Sequence, residues 1–471
     1  MLTLFIAVKT RPVIEGEEQL TGEEVGKPLF EKLTDPSMVT GLEVLSFDED
    51  LGSLKPFEIE QEREGEWVIP SKQRYPADAQ DRVARAATMF IDLKVNRVVS
   101  DQDANHETFG VVEPKYGKTD IGDKGVGTLF KVKGKSGETN EMLAELIIGK
   151  PIKDLAGQYY VRRPGKSRVY QVEIEPSQLS TKFVDWIDPV LMPFAQADVS
   201  SIVFRNYTTE VSSTDQGDSL KLAVNYESEV SIDSSEQWNI DDLREYRGGE
   251  LKPSEPGPGE IPNQQKLNLL RAAINQLAIS DVRKKEGAAS GQLGFFSYRP
   301  EADKPPQLFA SQGELLVNTI QGVQFRVLIG NLAEQSNLAT SVELNRYLSI
   351  VPQLYDAVFP EPELEKLPSE DDEMSENDRK LKVQQINKAN KRKTDERDAL
   401  VAAAQKRVDA LNTKLDGWYF QISEDTVRRL RVPRNELLVL SKKALSEGFG
   451  IEAFRMLQKD FPRRKPSADS N

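Results

Sequence analysis

A stretch of this chain occurs twice, at positions whose numbers differ by 186, and this repeat constrains the fold more than any single motif does. The two copies align without a gap from Pro76 to Leu129. The matched pairs are Pro76/Pro262, Arg85-Ala86-Ala87/Arg271-Ala272-Ala273, Arg97/Arg283, Phe109/Phe295, Pro114/Pro300, Gly127/Gly313 and Leu129/Leu315. Because the period has the size of a domain, the repeat predicts two related modules rather than a solenoid of short units.

The composition is that of a globular protein with several cores. The chain has 471 residues, of which 38% are hydrophobic and 29% are charged, and at roughly 150 residues per domain this length suggests about three units. The formal net charge is −14. Nucleic-acid-binding domains carry a basic face, so we predict no nucleic-acid partner.

Cysteine and histidine usage limits the chemistry. The chain has no cysteine and one histidine, His106, which leaves no disulfide, no thiolate zinc site and no cysteine nucleophile. A Ser-His-Asp triad or a two-histidine metal site would depend on His106 alone. We therefore assign no catalytic, metal-binding or cofactor-binding residue, expect no cofactor and no enzyme activity, and leave the ligand-binding residues unknown.

Residues 1–50 are predicted to form an N-terminal segment outside the repeat. The apolar run from Met1 to Val8 is far shorter than the roughly 20 residues that span a bilayer. Two interpretations stay open: a buried first strand or ragged end, and the last turns of a transmembrane helix that starts upstream. Residues 12–50 are acidic and indicate irregular structure, with one short apolar stretch at 42–45.

The fold class is predicted to be α+β, with two related modules that each combine a mostly antiparallel sheet with a packed helix. The first module covers 51–195, with a helix from Pro76 to about Val95 and a second short helix over 176–186. The second module covers 196–435. Residues 436–471 are predicted to be a C-terminal helix and a disordered tail.

The second module differs from the first by a long insert. Leu146–Gly149 matches Val327–Gly330 at an offset of 181, which indicates a shorter hairpin in the second copy. The sequence spacing of Tyr160 and Tyr170 is 10, whereas that of Tyr347 and Tyr419 is 72. The difference predicts an insert at about 354–416. We predict an acidic disordered link and then a long amphipathic helix; a flexible polyampholyte fits 361–395 equally well.

Two motifs fail on their own residues. Gly117-Lys118-Thr119 lacks the earlier glycine of a phosphate loop, because position 112 is Val112. His106-Glu107 begins like a zinc-protease helix, but no second histidine completes it. We interpret His106 as a surface residue.

Residues at similar places in both copies have structural interpretations. Trp67 and Trp238 precede the helix of each module, which favours core packing over stacking on sugars. Arg97 and Arg283 follow that helix, where a cation is stabilised by the helix dipole. We favour this capping role over a binding site.

The first module carries a recognisable series of short motifs. In order these are Trp67, Pro76-Ala77-Asp78, Phe109-Gly110-Val111 with Glu113-Pro114, Leu146-Ile147-Ile148-Gly149-Lys150, Tyr159-Tyr160-Val161-Arg162 and Val169-Tyr170. The series resembles the bacterial domain-of-unknown-function family 4340 (DUF4340). The resemblance covers about 55–195 and returns weakly from about 220 to 435, where Phe295-Phe296-Ser297 replaces the Phe-Gly-Val triplet.

The resemblance implies a cell-envelope protein, anchored by one N-terminal transmembrane helix upstream and associated with gliding-type ABC transporter systems. It carries over no catalytic residue. We expect a non-enzymatic scaffold or accessory protein that contacts protein partners, such as ABC-transporter components, through the inserted coiled-coil-like helix. The alternatives are an envelope protein that binds or hydrolyses carbohydrate or peptidoglycan through carboxylates and exposed tryptophan, and a cytosolic regulator.

Overall fold

The computed structural model describes residues 24–446, except 118, 120–121, 137–138, 215–216, 286–289, 300–304, 334–343 and 369–373. The chain divides into two compact units between Asp188 and Pro189. The expectations for the apolar N-terminus and for the tail after 446 lie outside the described residues. Within the described ranges, no helix has both the length and the apolar character needed to cross a membrane.

The first unit is built around a nine-stranded antiparallel sheet. Its strands are β1 Val39–Asp48, β2 Ser53–Arg63, β3 Glu66–Ile69, β4 Tyr75–Ala77, β5 Arg97–Ser100, β6 Thr128–Ser136, β7 Thr139–Pro151, β8 Gln158–Arg162 and β9 Val169–Glu173. Their order across the sheet is β4-β3-β2-β1-β6-β7-β8-β9-β5. The helices are α1 Gln80–Ile91 and α2 His106–Phe109. Helix α1 buries one apolar face, which packs the unit's core.

The second unit is built around another nine-stranded antiparallel sheet. The strands of the whole unit are β10 Val199–Thr214, β11 Gly217–Ile232, β12 Trp238–Arg247, β13 Glu250–Pro253, β14 Glu260–Pro262, β15 Asp281–Lys284, β16 Phe295–Tyr298, β17 Gln307–Ala310, β18 Glu314–Thr319, β19 Val323–Leu332, β20 Asn345–Leu354, β21 Trp418–Ser423 and β22 Leu438–Leu440. The large sheet has the order β13-β12-β11-β10-β18-β19-β20-β21-β15, and β14–β22 and β16–β17 form two small pairs. The helices are α3 Gln264–Asn275, α4 Glu376–Leu415, α5 Glu424–Leu430, α6 Arg434–Leu437 and α7 Lys442–Ser446.

The two large sheets have the same topology. From β3 to β5 in the first sheet and from β12 to β15 in the second, each strand has its counterpart at the same place, and α1 and α3 precede the last strand of each. This confirms the predicted α+β fold with two related modules. The sheets differ at one edge. The strand just before α1, β4, pairs with β3 of the first sheet. The strand just before α3, β14, pairs with β22 outside the second large sheet.

The helices show that the repeat has an offset of 184 rather than 186. Both α1 and α3 have 12 residues, and they begin at Gln80 and Gln264. Three of the four buried positions of each helix coincide at this offset: Val83/Leu267, Ala86/Leu270 and Phe90/Ile274. The alignment based on the Arg-Ala-Ala identity is therefore wrong by two residues. It matched identical small residues, whereas the apolar face that packs the core sets the structural equivalence.

The strands give a further correction of the alignment. Pairing to equivalent neighbours places Leu129 opposite Ile147 and Glu314 opposite Leu328, so Leu129 corresponds to Glu314 at an offset of 185. The match of Leu129 with Leu315 is wrong by one residue, which in a strand reverses the face of the side chain. By the same criterion Tyr170 corresponds to Phe420 rather than to Tyr419.

The segment predicted to be irregular contains an interior strand of the first sheet. Strand β1 covers Val39–Asp48 and lies between β2 and β6. Its burial departs from strict alternation, with adjacent buried residues at 41–42 and 44–45. Adjacent residues of a strand point to opposite faces, so β1 is buried on both faces here and lacks the polar–apolar alternation on which the prediction relied. The predicted helix over 176–186 is also wrong: this region forms two short 3-10 turns, Pro176–Gln178 and Phe183–Trp186.

The long helical insert of the second module is confirmed. Strands β20 and β21 are hydrogen-bonded neighbours although the whole segment 355–417 separates Leu354 from Trp418. Helix α4 occupies 40 residues of this insert and is therefore roughly 60 Å long. It begins at Glu376, after the N-cap Ser375, earlier than the 396–416 that the sequence favoured. Ala404, Val408 and Leu415 are buried, so the C-terminal half of α4 packs within the second unit.

Candidate functional site

The structure differs from the sequence-based expectations for His106, Arg97 and Arg283. His106 is not a fully exposed surface residue: its side chain is 13% exposed and its Nε2 lies 2.8 Å from the Ser167 carbonyl oxygen. Arg97 and Arg283 lie in β5 and β15, beyond the last turn of the preceding helix, so the capping interpretation is wrong. The effect of the helix dipole is confined to the last turn, and both arginines follow that turn by more than five residues.

Both tryptophans of the repeat pack in cores, as predicted. Trp67 is 5% exposed and Trp238 is 1% exposed, so neither ring offers an open face to a sugar. They occupy equivalent positions, because Trp67 pairs with Gln61 of β2 and Trp238 with Ile232 of β11. Their indole N–H groups nevertheless have different environments.

The indole of Trp238 is held by helix α3. Its Nε1–H donates to Asn268 Oδ1 at 2.9 Å, and the Gln264 amide bonds the Trp238 backbone on both sides, accepting from N at 2.9 Å and donating to O at 2.8 Å. At the offset of 184, the equivalents of these helix residues in α1 are Ala84 and Gln80. Ala84 has no acceptor, and the buried Nε1 of Trp67 makes no hydrogen bond among the described residues.

Trp67 and these α1 residues line a cleft of about 1060 Å³ in the first unit. Its walls come from the turn before β1, the end of β2, the start of α1 and two lysines of β6. The lining is Asp35–Gly41, Glu60–Gly65, Trp67, Gln80, Val83, Ala84, Lys133 and Lys135. The cleft was not predicted, because its distinguishing feature is the exchange of Asn268 for Ala84, which is visible only in the correct register.

Charges at the cleft are largely balanced by one another. Arg74 forms ion pairs with Glu60, at 2.6 Å, and with Glu62. Lys133 lies 2.5 Å from a Glu58 oxygen and 3.3 Å from a Glu43 oxygen. Burial acts to lower the pKa of Lys133, but these two carboxylates outweigh it and raise that pKa. The cleft therefore presents no strong excess of one charge.

The second unit buries charge where the first buries leucine. Glu314 is 4% exposed and binds Arg205 at 2.8 Å and Arg326 at 2.6 Å. The equivalents of Arg205 and Glu314 in the first sheet are Leu45 and Leu129, which belong to an apolar core cluster. The Glu314 carboxylate is thus paired with two guanidinium groups of the same sheet. The cluster therefore fixes the packing of the sheet rather than presenting a reactive group.

The outer face of α4 is a second exposed surface. Between Glu376 and Arg397 the helix has eight basic and four acidic residues. Lys393 and Arg397 lie near Glu365 and Glu361, each at 3.5 Å, so the preceding acidic segment neutralises part of this charge. Lys388 and Lys391 are exposed and, within the described part of the chain, have no acidic group at ion-pair distance.

Comparison with known proteins finds one similar family. A family model described as "Domain of unknown function (DUF4340)" matches residues 67–293. Over this region, the chain is similar to the DUF4340 family. No curated protein and no solved structure matches the chain significantly.

The DUF4340 match begins at Trp67 in β3 and continues through α3 and β15 to Leu293. It therefore crosses the boundary between the two compact units instead of covering one module. The resemblance read from the sequence had the pattern end near 195 and return weakly after 220. The DUF4340 region includes Trp67, Ala84, Trp238 and Asn268, so it contains both indole environments.

Proposed function

We propose that the chain is a non-enzymatic accessory or scaffold protein of the cell envelope, which acts through protein–protein contacts at the outer face of α4. The observation that carries the proposal is the insertion of a 40-residue helix between two adjacent strands of the second sheet. The sheet pairs β20 with β21 in the same way that the first sheet pairs β8 with β9 across a short turn. The helix is therefore additional to what the fold requires.

The exposed basic residues of α4 indicate the chemistry of the partner. In a protein with a formal net charge of −14, a basic stretch that includes Lys388 and Lys391 favours an acidic surface. Leu381 is 57% exposed and lies near one end of the same stretch. An exposed leucine on the same stretch suits a contact that combines an apolar side chain with charged ones. The envelope location and the link to ABC transporters rest on the family resemblance alone.

The test is a charge reversal that leaves the fold intact. Removal of the whole insert would expose the sheet that Ala404, Val408 and Leu415 cover, so loss of capture would be ambiguous. We expect the K388E/K391E variant to lose at least about tenfold in affinity for the partner captured by the wild-type chain from envelope extracts. The matched control, K153E/K166E, reverses two exposed lysines of the first unit and should bind normally.

Two outcomes would contradict this proposal. Equal capture by both variants would show that α4 is not the contact. Recovery of the wild-type protein entirely in the soluble cytosolic fraction, with its partner, would contradict the envelope location. Circular dichroism of each variant checks that α4 stays helical.

A further inference from the structure

The end of strand β2 has an open edge in the cleft of the first unit. Gly41 of β1 pairs with Glu60, and no described residue pairs with the next part of β2, Gln61–Arg63, on that side. On its other side this stretch pairs with β3, through Gln61 and Trp67 and through Arg63 and Glu66. Alternate residues of a strand direct their N–H and C=O groups to opposite sides, so this overhang directs backbone polar groups toward the cleft.

The equivalent edge is nearly closed in the second unit. There Ser201 pairs with Ser231, the counterpart of the Gly41–Glu60 pair, and β11 ends at the next residue, Ile232. The overhang is thus one residue in the second sheet and three in the first. An unpaired strand edge is a template for another strand, and among the described residues the first unit combines it with a cleft lined by Trp67.

The second observation is the indole N–H of Trp67. Trp67 is only 5% exposed, and its Nε1 has no hydrogen-bond partner among the described residues. A buried donor without an acceptor is destabilising, because it has lost its hydrogen bonds to water and gained none in return. The Trp238 indole avoids this cost through Asn268, whereas α1 has Ala84 at the corresponding place. A ligand oxygen at the Ala84 side of the cleft would satisfy the Trp67 donor.

We propose that the cleft of the first unit binds an extended, uncharged peptide segment of another protein. The peptide adds as a short strand beside Gln61–Arg63, and one of its carbonyl oxygens accepts a hydrogen bond from Trp67 Nε1–H. Strand addition of this kind takes its affinity from backbone hydrogen bonds and its selectivity from nearby side-chain pockets. The internal pairing of Glu60 and Glu62 with Arg74, and of Lys133 with Glu58, favours an uncharged occupant over an anion or a cation.

A sugar fits the cleft less well. Sugar rings pack their C–H faces on exposed aromatic rings, and Trp67 is the only aromatic side chain among the described lining residues. Because its ring is buried, Trp67 offers no open face to a sugar. The N–H is also covered in the free protein, so binding includes a shift of the cleft wall, where Gln80 is an exposed side chain.

The test uses the full chain labelled uniformly with ¹⁵N and the probe acetyl-Thr-Val-Thr-Val-Thr-amide. We expect the Trp67 Nε1–H signal to move downfield during titration, with a Kd of about 1 mM, together with the backbone amide signals of residues 61–63. The signals of Trp186, Trp238 and Trp418 should stay in place. A Trp67 signal that does not move at saturating probe would overturn the proposal.

Two variants separate a binding site from a packing effect. Ala84→Asn supplies the acceptor that Asn268 supplies in the second unit, so we expect at least about tenfold weaker binding; unchanged binding in this variant would overturn the role of Trp67. Asn268→Ala creates an indole without an acceptor in the second unit, where β11 has almost no open edge. Probe binding at Trp238 in that variant would show that the strand edge is not required.

This site is independent of the surface proposed on α4. The K388E/K391E variant should bind the probe peptide as the wild type does. Loss of partner capture with intact probe binding would leave the cleft proposal standing, and loss of probe binding in Ala84→Asn with intact capture would leave the α4 proposal standing.

Discussion

Arg346 and Glu424 form a buried, two-pronged ion pair in the second unit. The guanidinium Nε lies 2.5 Å from Glu424 Oε2 and Nη2 lies 3.2 Å from Oε1, while each residue is 7% exposed. Arg346 also donates from Nη1 to the Gly330 carbonyl oxygen at 2.9 Å. The pair links β20 to the first turn of α5, so it ties the strand before the insert to the helix after it.

We expect Glu424→Gln to destabilise the second unit by about 3–5 kcal/mol, because it leaves the Arg346 charge buried without a counter-ion. Denaturant unfolding followed at the Trp238 indole signal would measure this. The control is Asp425→Asn, since the Asp425 side chain is 82% exposed and surface pairs contribute about 0–1 kcal/mol. If the two variants lost the same stability, the pair would not be buried as described.

Gly149 should not tolerate a side chain. A Cβ there would lie 2.5 Å from the Phe109 carbonyl oxygen and 2.8 Å from that of Gly110, and backbone atoms cannot step aside as a flexible side chain can. We expect Gly149→Ala to cost about 1–3 kcal/mol in the first unit. Gly417→Ala is the control, because nothing lies within 4 Å of its added Cβ. Thermal unfolding of both variants would check the contrast, and equal melting temperatures would refute it.

Tyr75 should make the first unit sensitive to alkaline pH. Burial, assisted by the charge of Asp188, raises the pKa of Tyr75 to about 12 from 10.0. The folded state therefore keeps the proton above pH 10, and this contribution is complete below pH 10 and is lost as the pH rises toward 12. The loss amounts to about 3 kcal/mol. Unfolding followed at the Trp186 indole signal should show a shallower pH dependence in Tyr75→Phe; an unchanged slope would exclude Tyr75 as the cause.

The Trp238–Asn268 hydrogen bond should stabilise the second unit. Asn268→Ala leaves the Trp238 N–H without its acceptor at 2.9 Å, and we expect a loss of about 1–3 kcal/mol. Ala84→Asn is the reciprocal change in the first unit and should gain stability, or lose less than about 1 kcal/mol if the helix propensity of alanine dominates. Denaturant unfolding measures both changes in the free energy of unfolding. A loss for Asn268→Ala and a gain for Ala84→Asn would confirm that the two indoles occupy equivalent positions.

The topology could be predicted from the sequence better than the register. The α+β class, the two modules and the insert followed from repeated strand patterns and from the unequal spacing of Tyr160/Tyr170 and Tyr347/Tyr419. The residue equivalences did not, because identities of small residues such as Ala86 and Ala272 carry no information about which face is buried. In the structure Ala86 corresponds to Leu270, and both are buried.

The candidate cleft could not be predicted because it depends on a hydrogen-bond acceptor that the first unit lacks. Nothing in the type of Ala84 marks it as important until Trp67 is seen to lack the partner that Trp238 has. The Arg205–Glu314–Arg326 cluster was missed for a different reason. Charged residues in strands are usually solvated, and only the pairing of β10 with β18 shows that Glu314 replaces a core leucine.

The separation of β20 from β21 has a consequence for folding kinetics. In the first sheet, the short segment 163–168 joins Arg162 to Val169, whereas the segment 355–417 joins Leu354 to Trp418 in the second. The entropic cost of closing a flexible loop of the longer length is greater by about 2 kcal/mol. The two sheets share one topology, but we expect β9 and β21 to join them in different ways. β9 can form as a local hairpin, and β21 must wait for a long-range encounter that an early-formed α4 would shorten.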